Sequence, residues 1–87
     1  MGSFREMKIV SVDDNAINLL LIETLTEEVG HHVISFESAL KALEYINQNP
    51  VDIVLTDYMM PEMHGIELIE QVRKRFSDIP IVMITAV

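Results

Sequence analysis

Residues 8–15 read KIVSVDDN, a short apolar run rich in β-branched side chains that ends in two aspartates and an asparagine. A run that is apolar on both faces is typical of a strand buried within a parallel sheet. After the polar turn, apolar residues recur at helical spacing at Ile17, Leu20, Leu21, Leu25 and Val29. The pattern stops at Gly30, and glycine often ends helices. The stretch therefore predicts a strand over residues 8–12 and then a helix, which is half of a βαβ unit.

The same alternation of strand and helix continues along the chain. Residues 33–36, 51–56 and 81–85 predict three further short strands. Strict alternation with connections this short predicts a parallel, doubly wound α/β sheet covered by helices on both faces. In the common strand order 2-1-3-4 of such sheets, strands one and three are neighbours. Such a fold would ordinarily continue after the fourth strand. We therefore expect residues 7–87 to form one domain that is incomplete at its carboxyl end, and residues 1–6 to be a tag remnant or a flexible start.

Two further helices are expected between the later strands. Ser38 is a plausible N-cap for the second helix, which ends before Pro50, and the third helix begins after Gly65. The apolar positions expected to face the core are Leu40, Leu43 and Ile46 in the second helix, and Ile66, Leu68, Ile69, Val72 and Phe76 in the third.

The composition narrows the range of functions. The chain carries 14 acidic and 6 basic side chains, for a formal net charge of −8, which argues against a nucleic-acid contact or an anionic membrane surface. It has no cysteine, which excludes a disulfide framework and a thiolate metal site, and the cytoplasm is the expected compartment. No apolar run approaches the roughly 20 residues that a membrane-spanning helix needs.

Three aspartates follow strands that should be neighbours in the sheet. Asp13 and Asp14 follow the first strand, and Asp57 follows the third. In open α/β sheets, ligands bind at the carboxyl ends of the strands where the strand order reverses, so these carboxylates should converge. Their mutual repulsion favours a hard cation such as Mg²⁺, which prefers oxygen ligands and phosphate. The cluster thus suggests phosphoryl transfer to Asp57.

Each of these residues has a simpler explanation when it is taken alone. Asp13, Asp14 or Asn15 is more often a helix N-cap than a ligand, and Asp57 is more often a turn residue. Their combination at the ends of strands one and three reverses that preference. Asp52, at the start of its strand, belongs to the opposite edge of the sheet and is given no functional role.

Three motifs together resemble the receiver domains of two-component response regulators. They are VDDN at residues 12–15, LTDYMMPEMHG at residues 55–65 and IVMITA at residues 81–86. The second motif is highly specific, whereas the first and third are weaker alone. The resemblance implies a flavodoxin-like sheet of order 2-1-3-4 whose fifth strand is missing from this chain.

The resemblance also implies a role for each matching residue. Asp57 is the expected phosphoacceptor and a ligand of Mg²⁺, Asp14 binds the metal directly, and Asp13 contributes largely through water. The backbone carbonyl of Met59 is the expected third protein ligand. Thr85 matches the switch hydroxyl, which in the family bonds the phosphoryl oxygens and shifts toward the site on activation.

The family's remaining elements lie beyond this chain. They include an invariant lysine and an aromatic switch residue on a fifth strand, so little or no stable phosphorylation of the 87-residue chain is expected. The fourth strand would be an unprotected apolar edge, which predicts oligomerisation, strand exchange or a longer parent protein. The implied partners are a sensor histidine kinase or phosphotransfer protein and an output domain in the parent.

Other functions fit the residues less well. A phosphatase or phosphotransferase of the haloacid-dehalogenase type needs a second acid two residues after the nucleophile, where this chain has Met59. A flavodoxin-like nucleotide or flavin binder needs a glycine-rich loop after the first strand, where this chain is acidic. A receiver-like interaction module that is not phosphorylated remains an alternative.

Overall fold

Four parallel strands and three helices alternate along the chain in the computed structural model, which describes residues 5–84. The strands are β1 (Lys8–Val12), β2 (His32–Phe36), β3 (Ile53–Asp57) and β4 (Ile81–Ile84), and the helices are α1 (Ala16–Glu28), α2 (Ala39–Gln48) and α3 (Gly65–Arg73). The strands lie in the order β2-β1-β3-β4, and every neighbouring pair is parallel. The predicted fold class and strand order are confirmed. Across residues 5–84, no helix is long and apolar enough to cross a bilayer.

The helix caps resolve an ambiguity of the acidic turn. The Asn15 side chain caps α1 by accepting hydrogen bonds from the backbone amides of Ile17 and Asn18. Ser38 caps α2 in the same way, as expected, by accepting from the Lys41 amide. Because asparagine takes the capping position of α1, both aspartates that precede it are left for other uses.

One face of the sheet is closed by α2 and α3. The core there joins Val10, Val12 and Val54 of the sheet to side chains of both helices, including Ala42, Ile46, Leu68 and Val72. Each of these side chains is at most 1% exposed. Two burial predictions for these helices were wrong, because Leu40 and Ile66 are each 50% exposed and lie at the margins of the buried helical stripes. Phe76, expected within the third helix, packs against the core but lies after the end of α3.

The other face of the sheet is covered only in part. Helix α1 lies against β2 and β1, with Leu19 as its buried residue. On β4, Val82 and Ile84 remain 45% and 41% exposed. The apolar stripe that predicted α1 is also exposed, from 55% at Leu25 to 77% at Ile17. The helix is therefore where the pattern placed it, but most of its apolar residues do not contact the core.

Candidate functional site: an acidic cluster at the carboxyl edge of the sheet

Three carboxylates meet at the carboxyl ends of β1 and β3. One oxygen from each of Asp13, Asp14 and Asp57 lies within 4.8 Å of the others. The strand register explains the meeting, because Val12 pairs with Thr56 and so the next residue of each chain segment reaches the same edge. The convergence expected from the topology is confirmed.

Asp13 is the buried member of the cluster, with a relative exposure of 7%. One of its carboxylate oxygens accepts a hydrogen bond from the Asn15 backbone amide at 2.9 Å, and the other accepts from the Asn18 side-chain amide at 3.1 Å. Its own backbone amide donates to the Phe36 carbonyl at 3.1 Å, which ties the turn to the end of β2. Asp13 is thus held in one orientation by three hydrogen bonds.

Asp14 and Asp57 are more open than Asp13. Asp14 is exposed, and its carboxylate has no hydrogen-bond partner within residues 5–84. Asp57 is half-buried, and its Oδ1 atom accepts a hydrogen bond from the Tyr58 backbone amide at 2.8 Å. The two residues therefore present carboxylate oxygens that a ligand can reach.

The loop after Asp57 is folded back tightly against β3. The Gly65 amide donates to the Tyr58 carbonyl at 2.8 Å, which closes the loop at the first residue of α3. A Cβ atom at position 65 would lie 2.5 Å from the carbonyl oxygen of Asp57. Only glycine permits this approach of the loop to the backbone of the candidate phosphoacceptor.

The two methionines of this loop have different environments. Met60 is 5% exposed and belongs to the core cluster, so it anchors the loop to the closed face of the sheet. Met59 lies two residues after Asp57, and its side chain is 57% exposed. An exposed side chain at this position is compatible with the predicted use of the Met59 backbone rather than its thioether. Thr85, the predicted switch residue, lies outside the described residues.

No basic side chain within residues 5–84 forms an ion pair with the cluster. The ion pair found in this part of the chain joins Arg5 to Asp52 at the opposite edge of the sheet. Three carboxylates at this separation, one of them buried, repel one another strongly unless a cation is bound. The chemistry of the site therefore favours a small divalent cation with oxygen ligands.

Sequence patterns did not predict two polar links beside the cluster. The first is the Asn18–Asp13 hydrogen bond, and the second joins the Ser38 hydroxyl to the Glu62 carboxylate at 2.6 Å. The second link connects the start of α2 to the loop after β3. Both are contacts between side chains of different elements, for which the sequence offers no more than a suitable residue type.

Comparison with known proteins identifies the domain. The model of the family described as response regulator receiver domain matches residues 9–87. The chain belongs to the response regulator receiver family. The resemblance inferred from the three motifs is therefore confirmed, and the acidic cluster lies in a receiver domain.

Curated relatives carry this receiver domain in proteins of different size. The chain is 38% identical to the sensor protein GacS of Pseudomonas syringae pv. syringae over 97% of its own length and 10% of that protein. It is 36% identical to a chemotaxis protein CheY homologue of Campylobacter jejuni subsp. jejuni over 91% of its length and 64% of that protein. The chain thus spans a tenth of the first relative and somewhat less than two thirds of the second.

Solved receiver domains share the fold closely. The receiver domain of a Francisella response regulator superimposes with a TM-score of 0.87 at 30% identity, over 94% of this chain and 68% of that one. A CheY-like receiver domain protein from Methanospirillum hungatei superimposes with a TM-score of 0.90 at 26% identity, over 95% of this chain and 66% of that one. The flavodoxin-like arrangement of the four strands is that of receiver domains.

Proposed function

We propose that Asp57 of this receiver domain accepts a phosphoryl group from the phosphohistidine of a sensor histidine kinase or of a phosphotransfer protein. The observation that carries the proposal is the meeting of three carboxylates from two adjacent strands within 4.8 Å. Asp57 is the last residue of β3, and only its Oδ1 atom accepts a hydrogen bond from residues 5–84. Its Oδ2 atom is the proposed nucleophile.

The proposed step exchanges one bond to phosphorus for another. Asp57 Oδ2 forms a bond to phosphorus while the phosphorus–nitrogen bond to the donor histidine breaks. The electron pair of the broken bond stays on the imidazole nitrogen, which takes up a proton from solvent, and the product is an acyl phosphate on Asp57. The domain assists this transfer and its own slow dephosphorylation, and so acts as a signalling domain rather than on a separate substrate.

The donor set at the site fits Mg²⁺. Asp14 and Asp57 would bind the ion directly, Asp13 would contribute through water, and the Met59 carbonyl would be the third protein ligand. The fit rests on the clustered carboxylate oxygens and on the absence of an ion-paired Lys or Arg beside them within residues 5–84. When bound, Mg²⁺ would offset the negative charge that the acidic site presents to an incoming phosphoryl group.

The proposal extends to how the signal leaves the domain. We include in the proposal that Thr85 acts as the switch hydroxyl, that an output domain of the parent protein receives the change, and that the protein works in the cytoplasm. No direct contact with nucleic acid or membrane is proposed for this domain, since its net charge is −8. The relatives named as a sensor protein and a chemotaxis protein support a signalling role.

The exposed apolar residues of β4 support a further part of the proposal, that this chain associates through its fourth strand. Val82 and Ile84 are 45% and 41% exposed on a strand whose one described partner is β3. An open apolar edge of this kind pairs readily with another chain. A size measurement of the 87-residue chain in solution tests it, and a well-folded monomer would contradict it.

The phosphoacceptor role is tested by incubating the full-length gene product with acetyl phosphate and Mg²⁺ and reading the intact mass. We expect the mass of one phosphoryl group to be added to the wild type, and none after removal of Mg²⁺ with a chelator. Asp57→Asn should gain no phosphate. Phosphoryl addition that persists in Asp57→Asn, or no phosphoryl addition to the wild type, would contradict the proposal.

A further inference from the structure

Asn18 contacts the acidic cluster without being part of it. Its side-chain amide donates to Asp13 Oδ2 at 3.1 Å, while the Asn15 backbone amide donates to Asp13 Oδ1 at 2.9 Å. Both oxygens of the buried carboxylate are therefore engaged by neutral donors. Within residues 5–84, the carboxylate of Asp14 has no such donor, and Asp57 has one.

The position of Asn18 on α1 explains how it reaches Asp13. Asn15 is the N-cap, and Asn18 is the third helical residue after it, with its own backbone amide bonded to the Asn15 side chain at 3.3 Å. Side chains of a helix tilt toward its N-terminus, so a residue in this turn extends back over the cap toward the preceding loop. The cap and the contact to Asp13 thus belong to one connected set of hydrogen bonds.

The chemistry of the amide suits a site that must hold a cation. Asn18 satisfies an oxygen of a 7% exposed carboxylate without adding positive charge. A lysine or arginine making the same contact would neutralise Asp13 and weaken its attraction for a metal ion. An asparagine leaves the full negative charge of the cluster available.

We infer that Asn18 is a positioning residue for the divalent cation, which it serves by orienting the Asp13 carboxylate. The inference rests on the proposed function, because it assumes that the cluster binds Mg²⁺. By holding Asp13 in its buried orientation, Asn18 leaves Asp14 and Asp57 as the carboxylates that bind the ion directly. Loss of a side chain that holds a direct ligand typically weakens metal binding by about 10-fold to 100-fold. Asn18 holds a carboxylate that contributes through water, so we expect an effect at the lower end of this range.

The inference is tested by Mg²⁺ titration of the purified protein in a calorimeter. Asn18→Ala should raise the dissociation constant by about 10-fold, and Asn18→Leu, which keeps the branching of the side chain but has no donor, should do the same. Thr24→Ala is the matched control, because Thr24 lies on the same helix and its hydroxyl, among residues 5–84, donates to the Leu20 carbonyl alone. This control should bind Mg²⁺ as the wild type does.

A double-mutant cycle separates positioning from a general effect on the helix. If Asn18 acts through Asp13, Asn18→Ala should have no further effect on Mg²⁺ affinity in a protein that already carries Asp13→Ala. An unchanged affinity in both Asn18 variants, or an undiminished effect in the Asp13→Ala background, would overturn the inference while the proposed function stands. A wild type that binds no Mg²⁺ would overturn both. Unfolding of both Asn18 variants at the temperature of the titration would also overturn the inference, since it would assign Asn18 to the stability of the fold.

Discussion

The two edges of the same sheet use aspartate in opposite ways. At the amino edge, Asp52 accepts hydrogen bonds from the Lys8 backbone amide at 2.8 Å and from the Arg5 guanidinium at 3.0 Å. At the carboxyl edge, Asp13, Asp14 and Asp57 converge with no basic side chain ion-paired to them within residues 5–84. A paired carboxylate stabilises the fold, whereas clustered carboxylates without cations keep their charge for a ligand.

Asp52, the residue before β3, is tied to the first residue of β1. Its backbone amide also donates to the Lys8 carbonyl at 2.8 Å, so the residue bonds the start of β1 through both backbone and side chain. The Arg5 side chain in the ion pair is 79% exposed, and exposed pairs of this kind contribute about 0–1 kcal/mol. The contact is structural, in agreement with the position of Asp52 away from the cluster.

The largest effect is expected from removing Asp14, a proposed direct ligand of the metal. Asp14→Ala should weaken Mg²⁺ binding about 100-fold or more, because loss of an outer partner already costs 10-fold to 100-fold. Asp52→Ala should leave the Mg²⁺ dissociation constant unchanged. Calorimetric titration of both variants checks this difference. Equal effects of the two substitutions would contradict the different roles of the two edges.

A substitution in the loop beside Asp57 should have the next largest effect. Gly65→Ala places a Cβ atom 2.5 Å from the Asp57 carbonyl oxygen, so the loop or β3 must shift. We expect a loss of about 1–3 kcal/mol in the free energy of unfolding, measured by urea denaturation. Mg²⁺ binding should weaken in the folded fraction as well. A Gly65→Ala variant as stable as the wild type would contradict the close contact between this position and the Asp57 carbonyl.

Asp52 provides a smaller and purely structural effect. Asp52→Ala removes the acceptor of the Lys8 amide and the partner of Arg5, for an expected loss of about 1 kcal/mol in the free energy of unfolding. Arg5→Ala, which removes only the exposed ion pair, should lose less. Chemical denaturation of the two variants measures these losses. A loss of phosphate acceptance in Asp52→Ala would contradict a purely structural role for Asp52.

The smallest effect is expected on the exposed stripe of α1. Leu21 is 57% exposed, so Leu21→Ser should change the free energy of unfolding of this chain by no more than about 0.5–1 kcal/mol. Leu68→Ala, at a position that is 0% exposed in the core, should cost about 2–5 kcal/mol. Thermal or urea unfolding of the pair checks the difference. A large loss for Leu21→Ser would mean that this stripe is covered in solution.

Most of the fold could be predicted from local patterns, because the alternation of β-branched runs with helical stripes predicts a parallel, doubly wound sheet. Neighbouring parallel strands end at one edge of such a sheet, so Asp13 and Asp57 are predicted to lie together. Burial could not be predicted in this way. Leu40, Ile66 and the α1 stripe are apolar at helical spacing, but periodicity does not indicate which neighbouring element covers a side chain.

The finer parts of the site depended on contacts that a sequence does not specify. The sequence offered Asp13, Asp14 and Asn15 as equal candidates for the cap of α1, and the backbone geometry selects Asn15. The contacts of Asn18 with Asp13 and of Ser38 with Glu62 depend on side-chain rotamers across different elements. No periodic pattern marks such residues, because their contacts depend on how the elements pack against one another.

The central claim is that Asp57, and no other aspartate of the chain, carries the phosphoryl group. An acyl phosphate reacts with hydroxylamine to leave a stable hydroxamate on the modified side chain, which peptide mass spectrometry can locate. After incubation of the full-length gene product with acetyl phosphate and Mg²⁺, we predict a hydroxamate at Asp57 alone. A hydroxamate at Asp13, Asp14 or Asp52, or none at any position, would contradict the claim.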